Sequence, residues 1–289
     1  MNKKEKPIVA LIYDFDGTLS PGNMQEYAFI QAISKNKDEF WQENRELAHS
    51  QDADQILTYM FLMLQKAKAN DISLKKENFR KFGESVELFN GVEEWFERIN
   101  EYGKKIGITI EHYINSSGLK EMIEGTRIGR KFNQIYACSY LYSIDGVAQW
   151  PAIAVNFTNK TQFLFKINKG ITSAGDTIKI NEYINEADRR IPFSRMIYFG
   201  DGATDIPCMK LVKQLGGHSI AVYQPRKKDK KEIAEKLINE NRVNFVCPAD
   251  YSEGKEIDRV VQTVIDKIKA DYDFNELMKQ HKEKADKAL

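Results

Sequence analysis

The sequence is poor in residues that build disulfide or zinc sites. Its 289 residues include three cysteines, Cys138, Cys208 and Cys247, which are far apart and form no Cys-x-x-Cys pair. This pattern argues against a disulfide framework or a structural zinc site, so we expect buried thiols in a reducing compartment. The four histidines are also isolated from one another, so the chain offers no histidine-rich transition-metal site.

Excess charge and long apolar runs are lacking as well. The 43 basic residues nearly balance the 42 acidic ones, so no global field attracts nucleic acid or an anionic membrane. The longest strongly apolar stretch, residues 56–64, is far too short to span a bilayer, and residues 1–6 do not resemble a signal peptide. We therefore expect a cytoplasmic protein without nucleic-acid or membrane partners; the sequence does not indicate an oligomeric state.

An apolar run at residues 8–13 ends at two carboxylates, Asp14 and Asp16, followed by Gly17. Such a run is typical of a strand that is covered on both faces of a parallel sheet. Ligands of open α/β sheets bind outside the carboxyl ends of the strands, so the two acids are candidates for chemistry. The alternative is that they only begin a loop, because turns favour Asp and Gly.

Alternating strand and helix patterns follow from Gly91 onward. They predict a doubly wound, mainly parallel, Rossmann-like α/β sheet. The expected strands are residues 110–114, 135–140, 196–199, 218–223 and 244–247. Asp145-Gly146 predicts an antiparallel excursion through residues 152–155. The expected helices are residues 92–103, 158–170, 227–239 and 255–269, with a polar tail at the end and no assignable role for residues 171–192.

Residues 22–87 contain no strand-like segment. They include an apolar helix after Asp54 and an amphipathic helix predicted through Phe79 and Phe89. We therefore expect an inserted α-helical cap at residues 22–87 and a catalytic core made of residues 1–21 and 88–289. The alternative is that these helices simply cover the sheet.

Polar side chains recur at four strand ends, which a parallel sheet would gather along one edge. They are Asp14 and Asp16, Ser116, Lys160, and Asp201 with Asp205. Carboxylates with oxygen-rich surroundings suit Mg²⁺ together with substrate phosphate, and a lysine suits the remaining phosphoryl charge. Ser116 has two interpretations that coexist, because its hydroxyl could cap a helix or its junction could hold an anion.

These residues carry a family resemblance. Asp-Phe-Asp-Gly-Thr at 14–18, Ser116, Lys160 and Gly-Asp-Gly-Ala-Thr-Asp at 200–205 resemble, in order, the four motifs of the haloacid dehalogenase-like (HAD) hydrolase superfamily. The resemblance spans nearly the whole chain. The helical insert is similar to the type-1 cap of that superfamily, and the Asp-Gly hairpin before Lys160 most resembles its phosphoserine phosphatase branch.

The resemblance implies a role for each residue. Asp14 would be the nucleophile that forms an aspartyl-phosphate intermediate, and Asp16 would protonate the leaving alcohol and later activate water. Ser116 and Lys160 would bind the phosphoryl oxygens. The metal ligands of a Mg²⁺ cofactor would be Asp14, the carbonyl of Asp16, Asp201, and Asp205 through a bound water.

Two residues refine this comparison. Lys169 competes for the lysine role, but a helix would place it about 14 Å from Lys160, and only Lys160 follows the strand-edge loop. Members of the phosphoserine phosphatase branch usually have a glutamate nine residues after the nucleophile, where this chain has Asn23. Phosphoserine specificity is therefore not expected. The second acid, Asp16, argues against a dehalogenase, and the lack of membrane helices argues against a P-type pump.

The resulting expectation is a Mg²⁺-dependent phosphatase for a small phosphorylated metabolite. A phosphomutase or phosphotransferase would use the same aspartyl phosphate, and a non-enzymatic phospho-ligand-binding protein would keep only the fold. The intact set of acidic residues argues against the non-enzymatic alternative, because clustered carboxylates without a metal would repel one another. Residues of the insert that could face the substrate are Asn23, Gln25, Glu26, Tyr27 and Tyr59.

Overall fold

One sheet forms the centre of the molecule. The computed structural model describes residues 6–34, 36–176 and 178–287. The strands are β1 (Ile8–Tyr13), β2 (Thr109–Leu119), β3 (Gln134–Tyr142), β4 (Ala148–Ile153), β5 (Met196–Gly200), β6 (His218–Tyr223) and β7 (Phe245–Pro248). Their order across the sheet is β4-β3-β2-β1-β5-β6-β7, in which only the edge strand β4 is antiparallel to its neighbour. The doubly wound, mainly parallel fold predicted from the sequence is confirmed.

Helices connect these strands. They are α1 (Phe29–Ile33), α2 (Lys37–Ser50), α3 (Gln55–Ala69), α4 (Lys76–Glu84), α5 (Val92–Ile106), α6 (Lys120–Gly125), α7 (Lys160–Lys169), α8 (Ile206–Gln214), α9 (Lys228–Asn239) and α10 (Glu256–Asp286). The first four lie between β1 and α5. Asp54 caps α3 by accepting hydrogen bonds from the first backbone amides of that helix.

The direction of chain winding reverses beside β1. The chain moves outward from β1 through β2 to β3, returns to β5 on the other side of β1, and moves outward again through β6 to β7. Ligands of doubly wound folds bind where this reversal opens a crevice at the carboxyl ends of the strands. Asp14 follows β1 and Asp201 follows β5, so both acids lie at the switch point.

Helices cover both faces of the sheet. His112 of β2 contacts Phe96 of α5, whereas Asn115 of the same strand donates a hydrogen bond to the carbonyl oxygen of Lys160 in α7. Successive strand residues point to opposite faces, so these two contacts place α5 and α7 on opposite sides. Residues Val9–Tyr13 of β1 are accordingly completely buried.

Residues 22–87 pack around the ends of the strands and against helix α6 and strand β4. Tyr59 of α3 donates a hydrogen bond to the carbonyl oxygen of Ser117, near the C-terminal end of β2. Helix α4 lies directly against α6: a Cβ atom on Gly83 would come within 2.0 Å of the Met122 carbonyl oxygen. Only a residue without a side chain permits this approach, so α4 packs tightly against α6. Helices α2 and α3 lie above the acidic residues.

Three helix ends differ from the sequence expectation. Helix α4 ends at Glu84, and the chain turns so that the amide of Phe89 reaches the carbonyl oxygen of Leu19. Helix α5 continues past Gly103 to Ile106 and is ended by Gly107, whose φ is 82°. Helix α10 continues to Asp286, supported along its exposed part by pairs such as Lys267–Asp271 at 2.6 Å.

Two composition-based expectations can be compared with the structure. All three cysteines are free and buried, as expected. Within residues 6–34, 36–176 and 178–287, none of the helices combines the length and apolar character needed to cross a membrane. The apolar helix α3 is not buried all round, because Leu57 and Phe61 face solvent.

Candidate active site

Lys160 lies between two carboxylates at the switch point. Its ammonium nitrogen is 3.0 Å from Asp14 Oδ1 and 2.6 Å from Asp205 Oδ1, and its side chain is only 1% exposed. Lys160 is the first residue of α7, while Asp14 directly follows β1 and its amide donates to the Phe199 carbonyl oxygen of β5. Three distant segments are thus joined by one buried cation.

Asp205 is completely buried and has one uncompensated oxygen. Its Oδ1 accepts hydrogen bonds from Lys160 and from the Tyr198 hydroxyl at 2.7 Å, but its Oδ2 has no partner in the described structure. The backbone of Gly200 makes room for this carboxylate, since a Cβ atom there would lie 2.5 Å from the Asp205 Cγ. A buried carboxylate oxygen without a donor is a position for a cation.

The acids form a group that could hold a metal ion. Asp14, Asp201 and Asp205 each provide a carboxylate oxygen, and these oxygens lie within 4.8 Å of one another. An all-oxygen set with a few carboxylates is the environment that Mg²⁺ prefers, with the remaining positions filled by water or substrate. The unpartnered Oδ2 of Asp205 agrees with this assignment. The residues present therefore fit a divalent, hard cation.

The cluster is short of positive charge. Burial raises the pKa of Asp14 to about 6, with a further increase from Asp205 and an opposing decrease from Lys160. Burial raises the pKa of Asp201 to about 7, and the neighbouring Asp14 and Asp205 add to that effect. Burial alone would lower the pKa of Lys160, but its two carboxylate partners raise it above the usual value. The protein therefore keeps Lys160 charged, whereas two of the acids retain protons more strongly than normal.

Asp16 has a different environment from the other acids. Its Oδ1 accepts a hydrogen bond of 2.9 Å from the amide of Met24, and its carboxylate is not part of the three-acid group. Burial raises the pKa of Asp16 well above its usual range, with a further increase from Asp14. Gly17 turns the loop with φ of 77°, where a Cβ atom would meet Asp201 Oδ2 at 2.2 Å. Asp16 is thus set up to carry a proton beside Asp14.

Ser116 is placed by an irregular strand end. Strand β2 continues to Leu119 with a register shift after Asn115, so Ser116 does not cap α6, which begins at Lys120 without a side-chain cap. The Ser116 Oγ instead accepts a hydrogen bond of 3.1 Å from the amide of Gly118. Its own proton remains available for an acceptor in the cleft.

The two candidate lysines have clearly different positions. Lys160 contacts the acids, whereas the Lys169 ammonium donates to the carbonyl oxygens of Ile180 and Glu182 at 2.6 and 2.7 Å. The acids are therefore paired with Lys160, at the N-terminal end of α7.

A cleft of about 470 Å³ opens above the acids. Asp14, Asp16, Ser116 and Asp201 line it, while Lys160 and Asp205 are buried behind them. Three exposed lysines stand at its wall, namely Lys37, Lys227 and Lys230. Their positive charge favours the approach of an anion toward an otherwise acidic site.

A second cavity of about 580 Å³ continues from the first. Asp16, Asn23, Ile56 and Ser117 line both spaces, so the two meet beside Asp16. Four of the five insert residues that sequence reasoning proposed line one space or the other: Asn23, Gln25, Glu26 and Tyr59. The fifth, Tyr27, lines neither; its hydroxyl accepts a hydrogen bond from Ser20.

Sequence reasoning missed several residues of this region. The Tyr198 hydroxyl donates a hydrogen bond to Asp205. A hydroxyl group within an otherwise apolar strand, three residues before Asp201, was a signal that sequence reasoning could have used. Lys227 and Lys230 follow β6, whose end lies at the same sheet edge. Trp41 and Arg45 of α2 gave no local signal, because periodicity alone does not identify the face that overhangs the cleft.

Comparison with known proteins identifies the family. A family model for haloacid dehalogenase-like hydrolases matches residues 11–210. An uncharacterized protein of Borreliella burgdorferi is 30% identical over 284 residues, covering 89% of this chain and 96% of its own length. The fold and the acidic centre are those of a hydrolase built on a Rossmann-like α/β sheet. The chain belongs to the haloacid dehalogenase-like hydrolase family.

Solved structures share the fold at low sequence identity. A HAD family hydrolase from Salmonella enterica subsp. enterica serovar Typhi superposes with a TM-score of 0.55 at 15% identity, covering 88% of this chain and 74% of that one. A phosphoserine phosphatase described as a phospho-aspartyl intermediate analogue gives 0.51 at 15% identity, covering 89% and 99%. These similarities agree with the Rossmann-like architecture described above.

Proposed function

We propose that the protein is a Mg²⁺-dependent phosphatase that hydrolyses a small phosphomonoester through an aspartyl phosphate on Asp14. The observation that carries the proposal is the position of Asp14: its carboxylate faces the cleft, is held by Lys160 at 3.0 Å, and belongs to the three-acid group. Family membership supports a hydrolytic reaction, and the acidic group supports a metal.

In this proposal the metal would be held by Asp14, Asp201 and Asp205, together with the main-chain carbonyl of Asp16 that the motif resemblance implies. The chemistry that Mg²⁺ would supply there is neutralisation of carboxylate and phosphate charge together with Lewis acidity. The Tyr198 hydroxyl fixes one oxygen of Asp205 and thereby orients the carboxylate.

The chain's own residues supply the remaining chemistry. Asp14 attacks phosphorus, the bond to the leaving oxygen breaks, and the phosphoryl group moves to the Asp14 carboxylate. Asp16, whose pKa is raised by burial, gives its proton to the leaving alcohol and later accepts one from the water that hydrolyses the aspartyl phosphate. Ser116 donates its free hydroxyl proton to a phosphoryl oxygen, and Lys160 offsets the charge of Asp14 as the phosphate approaches.

We assign residues 22–87 as a cap and residues 1–21 and 88–289 as the catalytic core. The support is that α2 and α3 line the second cavity above Asp16, while the acids themselves all come from the sheet edge. Covering the site would exclude water during phosphoryl transfer and select the leaving group. The substrate is therefore a small phosphorylated metabolite that fits between the two parts.

The direct test is release of phosphate from p-nitrophenyl phosphate by the wild-type protein and by Asp14→Asn. We expect turnover with Mg²⁺, none with chelator, and a decrease of at least about a thousandfold in the variant, because the nucleophile is lost. Asp145→Asn, at an exposed hairpin turn, is the matched control. Equal rates for wild type and Asp14→Asn would refute the nucleophile assignment. Transfer to an added alcohol in preference to water would instead indicate a phosphotransferase.

The role of Asp16 has its own test. Asp16→Asn should lower the rate of hydrolysis of an alkyl phosphate by a factor of about 10² to 10⁴. The rate with p-nitrophenyl phosphate should fall much less, because nitrophenolate leaves without a proton. The variant should also accumulate phosphorylated protein, visible as the mass of one added phosphoryl group. Equal slowing of both substrates would contradict the acid role of Asp16.

A further inference from the structure

The second cavity is bounded by the segment after β1 and by α2 and α3. It begins beside Asp16, the residue that we propose protonates the leaving oxygen, and continues toward Gln25, Trp41 and Tyr59. A phosphate ester whose phosphorus lies at Asp14 would project its alcohol part past Asp16. The inference below rests on the proposed phosphatase function, because that function places the leaving group in this space.

Two buried polar atoms at this cavity have no partner. Gln25 is 2% exposed and its Oε1 accepts no hydrogen bond in the described structure. Ser117 lines the same space and its buried Oγ is also unpartnered. An unsatisfied buried polar group is unfavourable, and a ligand with matching hydroxyl groups could pair with it.

Aromatic rings form part of the cavity wall, and their polar atoms are already satisfied. The Trp41 indole nitrogen donates to Glu26 at 2.9 Å, and the Tyr59 hydroxyl donates to the Ser117 carbonyl oxygen at 2.7 Å. The two rings pack edge to face with centroids 5.9 Å apart. They therefore offer apolar surface rather than further hydrogen bonds to a ligand.

The charged residues at this cavity do not match a charged leaving group. Asp38 and Arg45 both lie on the exposed side of α2 and have opposite charges. Both side chains lie largely in solvent, so neither offers a buried charge to a leaving group. Glu26 is already engaged by Lys37, Trp41 and Asn23. Among the described residues, the only carboxylates that line this space are the half-buried Asp16 and the exposed Asp38.

We propose that this cavity binds a neutral, polyhydroxylated leaving group, so that the substrates are phosphomonoesters of sugars or other polyols. Amide and hydroxyl side chains both donate and accept, as do the hydroxyl groups of a polyol. Aromatic walls match the apolar C–H faces of the same molecule. The cavity thus combines several polar side chains with two aromatic rings, and placed polar groups of this kind orient a ligand in a small-molecule site.

The test compares kcat/KM for glucose 6-phosphate, fructose 6-phosphate, phosphoserine and phosphoethanolamine, each divided by the value for p-nitrophenyl phosphate. The proteins are wild type, Gln25→Met and Gln42→Met. Gln42 is the matched control, because it lies on the outer face of α2 and pairs with Glu46. We expect a sugar phosphate to exceed both amino compounds at least tenfold in the wild type. Gln25→Met should lower that sugar-to-aryl ratio about tenfold, whereas Gln42→Met should not.

Binding is measured separately so that the two proposals can fail independently. Tryptophan fluorescence of the wild type and of Trp41→Phe is followed during titration with the same phosphates in chelator and in Mg²⁺. A saturable change with a sugar phosphate that is lost in Trp41→Phe supports the inference even without turnover. Preference for phosphoserine or phosphoethanolamine in either assay, no fluorescence response to either sugar phosphate, or equal effects of Gln25→Met on all substrates would overturn it. Failure of p-nitrophenyl phosphate hydrolysis alone would count against the phosphatase only.

Discussion

Asp201 is a residue whose loss should stabilise the metal-free protein. Its carboxylate is partly buried beside Asp14 and Asp205, and its pKa is raised from 3.8 to about 7. Asparagine has nearly the same shape without the charge. Asp201→Asn therefore removes the cost of burying a charge and the repulsion from Asp14 and Asp205, while keeping the packing.

The size and sign of the effect follow from the two pKa values. A raised folded-state pKa means that the unfolded chain ionises first, so stability falls as pH rises from about 4 and levels off above about 7. A difference of about three pH units corresponds to about 4 kcal/mol. Solvent access to the side chain reduces this value, so we expect a gain of about 2–4 kcal/mol at pH 8 and less than about 1 kcal/mol at pH 4.

Urea unfolding in chelator, followed by tryptophan fluorescence, measures this gain for wild type and Asp201→Asn. Asp145→Asn again serves as the control, because an Asp-Gly or Asn-Gly turn suits the hairpin equally. Mg²⁺ should raise the wild-type free energy of unfolding more than that of Asp201→Asn, since the variant lacks one proposed ligand. A variant that is no more stable than wild type at pH 8, or whose advantage is the same at pH 4, would refute the reasoning.

Three further changes have definite expected outcomes. Lys160→Met should lower the free energy of urea unfolding by about 3–5 kcal/mol, because its two carboxylate partners would be left without a cation. Gly17→Ala should decrease aryl phosphate turnover about a hundredfold with an unchanged circular dichroism spectrum, since the added Cβ would displace Asp201. Deleting residues 274–289 should change unfolding stability by less than about 1 kcal/mol, because residues 274–287 are mostly exposed.

The sheet edge could be predicted because its signals are local. The apolar run of β1 stops at Asp14, and the run of β5 stops at Gly200 and Asp201, so each strand end is marked by its own residues. Parallel winding then brings these ends together without further information from the sequence. Lys160 could be preferred over Lys169 for a similar reason, since only one end of a helix adjoins the strand edge.

The position of α2 and α3 above the acidic residues could not be predicted in the same way. A helix shows its apolar face by periodicity, but not whether that face meets protein or a cavity. Gln25 reads as an ordinary polar residue, and only the structure shows that it is buried with an unpartnered oxygen. Gly103 was expected to end helix α5, but it lies inside the helix and allows Ile110 of β2 to pack against the helix backbone. A Cβ atom on Gly103 would lie 2.6 Å from the Ile110 Cγ1.

The charges of the site explain why the proposed function requires a divalent cation. Asp14, Asp16, Asp201 and Asp205 carry four negative charges when ionised, and Lys160 supplies only one positive charge. A proton on Asp16, favoured by its raised pKa, and one divalent cation would bring the formal sum to zero. A phosphate dianion can enter a neutral site, guided by lysines at the cleft wall, but would be repelled from the uncompensated acids. In the proposed phosphatase, the same charge imbalance that lowers the stability of the metal-free protein would make phosphate binding depend on the metal.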